Sequence, residues 1–300
     1  PFVEDEGWAR AFAPTLRLLA ASIALWQDLP GELGEDLEVA IKGGLIVAAS
    51  ESQMRSVERK AALERASGLD VRILSRSDLR AAAPYLRDTM VGGAFCPNEG
   101  KASPLQTTLA LARAARRSGA RIFPHRPLTA LARERGPFIA VTPEGRIRAR
   151  RVVNAAGADA TAISSKLGLD FPIEGVPIQI GITEPTTAFL PHLLYFAGGR
   201  LTLKQTAMGT VLIGGGWPAR IDPRTGRLQI SRDSMADNLG IACNVVPLVG
   251  GLRLVRTWPA IVNGTADWKP VLGEVRGIPG CYMTVFPWLG FSAGPIVARI

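Results

Sequence analysis

Beyond Gly175 the chain changes its period, and this change limits the possible folds more than any other feature. The segments "VPIQIGITEP", "LLYFAGGRLTLKQT", "GTVLIGGG" and "GLRLVRTWPAIV" alternate apolar and polar residues over long spans. A period of two sends successive side chains to opposite faces, so these segments read as strands of a mostly antiparallel sheet. The preceding half has another texture. Trp8, Phe12, Leu16, Leu19, Ile23 and Trp26 recur at helical spacing and predict a long amphipathic helix over 8–29. "GGLIVAAS" (43–50) reads as a short buried strand, 51–65 as a charged helix, and "SRSDLRAAAP" as a Ser- or Asp-capped helix stopped by proline. The clearest helix lies in 102–120, with Ser103 as N-cap, Pro104 in the first turn and Gly119 as C-cap. "RIFPH" and "LTALARE" then read as strands, "PFIAVTPEGRIRA" as a hairpin, and "RVVNAAG" as a strand returning to a central sheet. The end, "GCYMTVFPWLGFSAGPIVARI", reads as a strand, a glycine-bearing turn and the start of a helix.

Composition narrows the class. The chain has 300 residues, 47% hydrophobic and 20% charged, which suits a soluble globular protein of one large domain or two interleaved ones. No apolar run approaches the roughly 20 residues of a membrane span. Cys96, Cys243 and Cys281 lie far apart in no metal-binding spacing, so they read as buried thiols of a reducing, cytoplasmic compartment. His125 and His192 are the only histidines, too few for a histidine-rich metal site or to favour a Ser-His-Asp triad. The net charge of +9 invites nucleic-acid binding, but arginine is spread among acids, apart from "RIRARR" at 146–151, and aromatic interleaving is lacking. No nucleic-acid partner is expected.

"RVVNAAGADA" (151–160) loses almost all side chain at the end of its strand. A bare strand end serves either close packing beneath a helix or the approach of a flat ligand to the backbone. Its companions bear on the choice. In order along the chain, "GARIFPHRPLTAL", "RVVNAAGADA", "GTVLIGGG", "TWPAIVNGTADWKPVLGE" and "FPWLGFSAGP" resemble segments of the FAD-dependent amino-acid oxidase (DAO) family. The likeness is to glycine oxidase and to sarcosine oxidase β-type subunits of multi-subunit amine or opine dehydrogenases. It implies an α/β chain (α+β overall) in which an incomplete, Rossmann-like FAD-binding domain (1–30, 99–171 and 269–300) is interleaved with a mostly antiparallel substrate-binding domain (31–98 and 172–268).

The resemblance implies FAD as cofactor. Ala155, Ala156 and Gly157 would lie alongside it, and Leu128, after Arg126 and Pro127, would pass the adenine with its backbone. The turn at Leu289, Gly290, Phe291 and Ser292 would face the flavin ring. A helix starting there carries partial positive charge, suited to the anionic reduced flavin. The family's N-terminal glycine fingerprint is absent, and "LIGGGWP" (212–218) sits among antiparallel strands. Further residues are therefore expected before Pro1 and after Ile300. Asp159 stands where tryptophan often follows Ala-Gly-Ala.

Family members oxidise the carbon beside an amine by hydride transfer to flavin, which requires a cation for the substrate carboxylate and a shaped pocket. At the position where glycine-oxidase-like members carry arginine, this chain has Val262. Lys204 and Arg256, on the two most suitable strands, can replace it, or can be ordinary solvated strand cations. Trp258 and Trp288 can wall the pocket, with Tyr195 and His192 as lesser candidates, while Asp267 reads as a turn former. No side chain is assigned as catalytic. The implied reaction is C–N oxidation of an amino acid or secondary amine, with partner subunits taking the electrons. The alternatives are a scaffold subunit of the same descent that does not hold flavin, and a flavin-dependent hydroxy-acid or glycerol-phosphate dehydrogenase.

Overall fold

The computed structural model describes residues 6–134 and 136–300. The chain divides into two compact units, Pro1–Thr107 with Pro177–Ala260, and Thr108–Val176 with Ile261–Ile300. Its elements begin with α1 (Glu6–Leu33), β1 (Gly44–Ala48), α2 (Glu51–Ala66), β2 (Arg72–Leu74), α3 (Arg76–Ala82) and β3 (Gly92–Cys96). Helix α4 (Pro104–Arg117) leads to β4 (Ala130–Arg133), β5 (Phe138–Thr142), β6 (Gly145–Ala149), β7 (Val152–Asn154) and α5 (Ala160–Ser164). Then come β8 (Ile173–Thr183), β9 (Leu193–Phe196), β10 (Thr202–Gln205), β11 (Val211–Pro218), β12 (Arg220–Ile221), β13 (Leu228–Gln229) and α6 (Arg232–Val245). The chain ends with β14 (Leu254–Thr265), β15 (Val271–Glu274), β16 (Cys281–Val285) and α7 (Gly290–Val297).

An eight-stranded sheet, ordered β14-β8-β11-β10-β9-β1-β3-β2, runs through the first unit. From β8 to β2 its neighbours pair antiparallel, except that β9 and β1 are parallel. The period of two sorts its faces. Leu203 and Ile213 pair across β10 and β11 and are fully buried in a core shared with Leu45 and Val47 of β1 and Ala242 and Val245 of α6. Their neighbours Lys204 and Leu212 pair on the other face, and Leu212 in turn pairs with Ile182 of β8. The "GGG" of β11 has its own explanation. The register with β8 shifts between Ile213 and Trp217, so the glycines form a bulge. Gly215 has φ of 128°, and a Cβ there would sit 2.6 Å from the Leu201 nitrogen. This glycine run is a strand irregularity, not a phosphate loop.

The second unit holds two three-stranded sheets, β15-β16-β7 and β4-β5-β6. Strand β7 pairs parallel with β16, matching Met283 to Asn154. Phe138, Cys281, Met283 and Val285 form its core with Leu131 and Ile173.

Most of the expected elements are present, and the exceptions have local causes. "RIFPH" forms no strand. Pro124 cannot donate to a ladder, His125 takes a positive φ of 60°, and Arg126 lies 4.5 Å over the exposed Phe123 ring. Helix α6 escapes a simple apolar count because buried Asn238 stands among its inward residues Met235, Ala242 and Val245. Ser231 caps it, accepting from the Ser234 N–H. No helix among the described residues is long and apolar enough to cross a membrane.

Candidate active site

The first unit contains a cavity of about 1110 Å³. Its floor is the sheet face that carries Ile182, Lys204 and Leu212 in one row, and β14 adds Arg256 and Trp258. The Arg256 guanidinium stands 6.0 Å from the centre of the Trp258 ring. Three of the substrate residues expected from sequence, Lys204, Arg256 and Trp258, thus line one space. One wall is loop 36–42, tied to Lys101 by reciprocal backbone bonds with Ala40 of 2.8 and 3.0 Å. The other is loop 188–191.

Gln205, next to Lys204, holds that second wall in place. The alternation that turns Lys204 to the cavity turns Gln205 inward, where it is 3% exposed. Its Oε1 accepts from the N–H groups of Phe189 and Leu190 at 2.9 and 3.0 Å. Its Nε2 donates to the carbonyls of Thr187 and Gly209, and its own carbonyl receives the Lys101 ammonium. Nothing in the periodicity marks Gln205, Lys42 or Lys101. The one usable signal is a polar residue at an inward strand position.

The cavity is electropositive. Lys42, Lys101, Lys204 and Arg256 face two carboxylates, Asp36 and Glu38, an excess of two positive charges. Burial pushes the Lys204 ammonium below its ordinary pKa, because little water remains to solvate the charge. Lys101 is lowered by burial first and then by the charges of Lys42 and Lys204, against an opposing pull from Glu38. Lys204 Nζ has no hydrogen-bond or ion-pair partner among the described residues. A carboxylate fits that position chemically.

His192 and Tyr195 do not line the cavity. His192 Nδ1 lies 2.8 Å from the Tyr85 hydroxyl. Tyr195 is hydrogen-bonded to Glu99; burial, followed by the charge of Glu99, raises its phenol well above the ordinary value. Asp267 forms a turn, as its setting suggests, accepting the Lys269 N–H at 3.1 Å.

In the second unit, two of the three segments expected to contact cofactor leave one edge. Strands β7 and β16 are parallel neighbours, so the segments that follow them, 155–157 and 286–292, leave the same carboxyl end. Buried Asn154 shapes the first. Its Oδ1 accepts from the Ala156 N–H at 3.2 Å, and its Nδ2 donates to the Ala160 carbonyl and the Ser164 hydroxyl. Ala155 and Ala156 are exposed, and a Cβ on Gly157 would meet nothing within 4 Å. Packing within the chain therefore does not explain these small side chains, although the φ of 59° at Gly157 does favour glycine there. Leu289 precedes α7 without a side-chain cap, and Gly290 also has open space at its Cβ position. A flat ring system fits this low surface at the carboxyl end of parallel strands. Leu128 packs its side chain against the second unit's core.

Trp288 belongs to this unit and is not part of the first unit's cavity. It has φ of 60°, and Trp268, at 57°, packs edge-to-face against it with ring centres 6.1 Å apart. The Trp288 N–H donates to the Asn263 carbonyl at 3.0 Å. A left-handed backbone at a bulky residue is costly and persists where the surroundings impose it.

Known proteins share this fold. Glycine oxidase from Geobacillus kaustophilus superposes with a TM-score of 0.85 at 22% identity, over 94% of this chain and 76% of that one. L-proline dehydrogenase from P. horikoshii gives 0.85 at 23% identity, over 94% and 76%. By sequence, the chain is 24% identical to the beta subunit of sarcosine oxidase from Rhizobium meliloti (strain 1021), over 91% of this chain and 67% of that protein. It is 29% identical to an opine oxidase subunit from Agrobacterium tumefaciens (strain Ach5), over 65% and 50%. The chain thus spans between half and about two thirds of the length of these two curated relatives. The profile described as FAD dependent oxidoreductase (DAO) matches residues 4–300. Because that match covers both units and every segment of the two sites, the chain belongs to the FAD dependent oxidoreductase (DAO) family.

Proposed function

We propose that the chain is the substrate-binding and flavin-contacting part of an oxidoreductase that removes hydride from the carbon beside the nitrogen of an amino acid or secondary amine. The observation that carries this reading is Lys204, half-buried and without a partner among the described residues, beside Arg256 and Trp258 on the floor of a roomy cavity. Lys204 binds the substrate carboxylate, and Arg256 stands ready as a second cation at the exposed side. Trp258, Leu212 and Ile182 provide apolar surface that excludes water from the carbon and nitrogen to be oxidised. The amine reacts in its neutral form, so the cationic lining favours loss of its proton before the bond breaks. Bound FAD supplies the hydride acceptor.

In this reading residues 1–30, 99–171 and 269–300 serve FAD, apart from Lys101 and its neighbours 102–105, which line the substrate cavity, and 31–98 with 172–268 serve the substrate. Leu128, Ala155, Ala156, Gly157, Leu289, Gly290, Phe291 and Ser292 would hold the cofactor, with Trp288 supporting the flavin-facing turn. Two of the relatives are subunits of sarcosine and opine oxidases. By that likeness the electrons pass to partner subunits. Three free cysteines, Cys96 and Cys281 of them buried, accord with a cytoplasmic setting.

The test is anaerobic bleaching of the flavin band in purified holoprotein by N-alkyl amino acids, followed by turnover with an artificial electron acceptor. Bleaching should be lost in Lys204→Met. A protein that folds but carries no flavin would point to a scaffold role. One reduced only by hydroxy acids or glycerol 3-phosphate would sink the amine reading.

A further inference from the structure

We propose that the outer edge of β6 is a docking edge for a partner protein, which adds an extended segment of alternating acidic and apolar residues as a fourth strand. Strand β6 holds most of "RIRARR", a basic run that neither site uses. In the sheet β4-β5-β6 it pairs with β5 on one side and with no described strand on the other. The Glu134 N–H bonds the Pro137 carbonyl at 2.9 Å and closes the β4–β5 turn, which fixes the alternation of the ladder. Ile139 and Val141 therefore bond toward β4, and Phe138, Ala140 and Thr142 toward β6. Arg148 and Arg146 stand opposite Ile139 and Val141, so their own N–H and C=O groups point to the free side. Such a row is a template for strand addition.

The side chains along this edge specify what it accepts. Arg146 and Arg148 are two residues apart, which sets them about 7 Å apart on one face. Ile147, between them, is 39% exposed on the other. An incoming strand with acid, apolar and acid residues in succession matches all three positions. Arg146 is paired only with Glu134 among the described residues, at 2.7 Å, and both side chains are more than half exposed, so the pair exchanges easily. Arg148, and Arg150 and Arg151 just beyond the strand, are exposed and have no ion-pair partner among the described residues. Guanidinium groups bind carboxylates in a bidentate fork. A second copy of the chain does not suit the edge, because β6 against β6 sets arginine against arginine. A nucleic-acid strand would use the cations but leave the free amides and Ile147 idle.

Fluorescence anisotropy with the labelled peptide Thr-Glu-Val-Glu-Val-Glu-Thr and the intact protein tests this. It should bind at least about tenfold more tightly than the same peptide N-methylated at its glutamate amides, and than the version with glutamine for glutamate. Hydrogen exchange at the Arg146 and Arg148 amides should slow on binding. Arg146→Glu with Arg148→Glu should weaken binding at least about tenfold. Arg146→Gln with Arg148→Gln should weaken it in the same direction, and serves if charge reversal disturbs folding. Lack of binding to the wild type at low salt overturns the proposal and leaves the arginines as guards of an exposed edge. Equal binding of the N-methylated peptide overturns it in favour of simple charge adsorption, with no variant needed. Undiminished binding in both double variants, or tighter binding of oligouridylate than of the peptide, also overturns it.

Discussion

Lys204 and Gln205 are adjacent in sequence and opposite in task, and the strand's alternation alone separates them. Gln205→Ala strips the Phe189 and Leu190 N–H groups of their acceptor. With a buried unsatisfied donor costing about 1–3 kcal/mol, we expect a loss of about 2–4 kcal/mol in urea unfolding. A loss below about 1 kcal/mol would mean the loop finds other partners. For Lys204 the expected effect is on pH dependence. Burial holds its pKa below the ordinary value of about 10.4, so the unfolded chain binds this proton more tightly than the folded one. Stability therefore rises with pH between the lowered value and about 10.4, while carboxylate affinity, which needs the charge, falls across the same window. Lys204→Met should weaken both trends, leaving the part due to Lys101, whose pKa is also lowered. A wild-type carboxylate affinity unchanged up to about pH 10 would count against this lysine as the anchor.

At the scale of single elements, two glycine- and alanine-rich stretches that look alike in sequence serve different ends. In β11, Gly215 needs both its positive φ and the absence of a Cβ. Gly215→Ala should destabilise the fold by more than about 1 kcal/mol, read as a lower denaturation midpoint. At the end of β7, Ala156 is exposed with φ of −80°, which any residue adopts. Ala156→Leu should leave stability within about 0.5 kcal/mol of the wild type yet release flavin on gel filtration. Retained flavin would place the cofactor elsewhere. Periodicity makes most strands and α4 legible, because alternation and caps are local signals. It misses α6, whose inward face includes Asn238, bonded to the Gly214 carbonyl across the bulge. It also assigns a strand to "RIFPH", where Arg126 over Phe123 and the Pro124 backbone favour an irregular path.

For the molecule as a whole, the net charge of +9 is unevenly divided. The unit of Thr108–Val176 and Ile261–Ile300 holds fifteen basic and seven acidic residues, so it carries nearly all of the excess. Like charges destabilise a compact unit, and salt screens them. Hydrogen-exchange protection in that unit should rise with ionic strength, while the nearly neutral unit of Pro1–Thr107 and Pro177–Ala260 changes little; equal responses would argue against this account. Sequence alone determined what local rules and ordered motifs can carry: the antiparallel texture after Gly175, the helix caps, and a family likeness spread over five segments. Tertiary structure decided which face each strand residue presents, and with it that Lys204, Arg256 and Trp258 share a cavity whereas Trp288 lies in the other unit. It also brought in Lys42, Lys101 and Gln205, which no period marks, because loop residues meet a strand only after the sheet has assembled. For the bare end of β7 it removed one of the two readings: Ala155 and Ala156 are exposed, so close packing inside the chain is not what keeps them small.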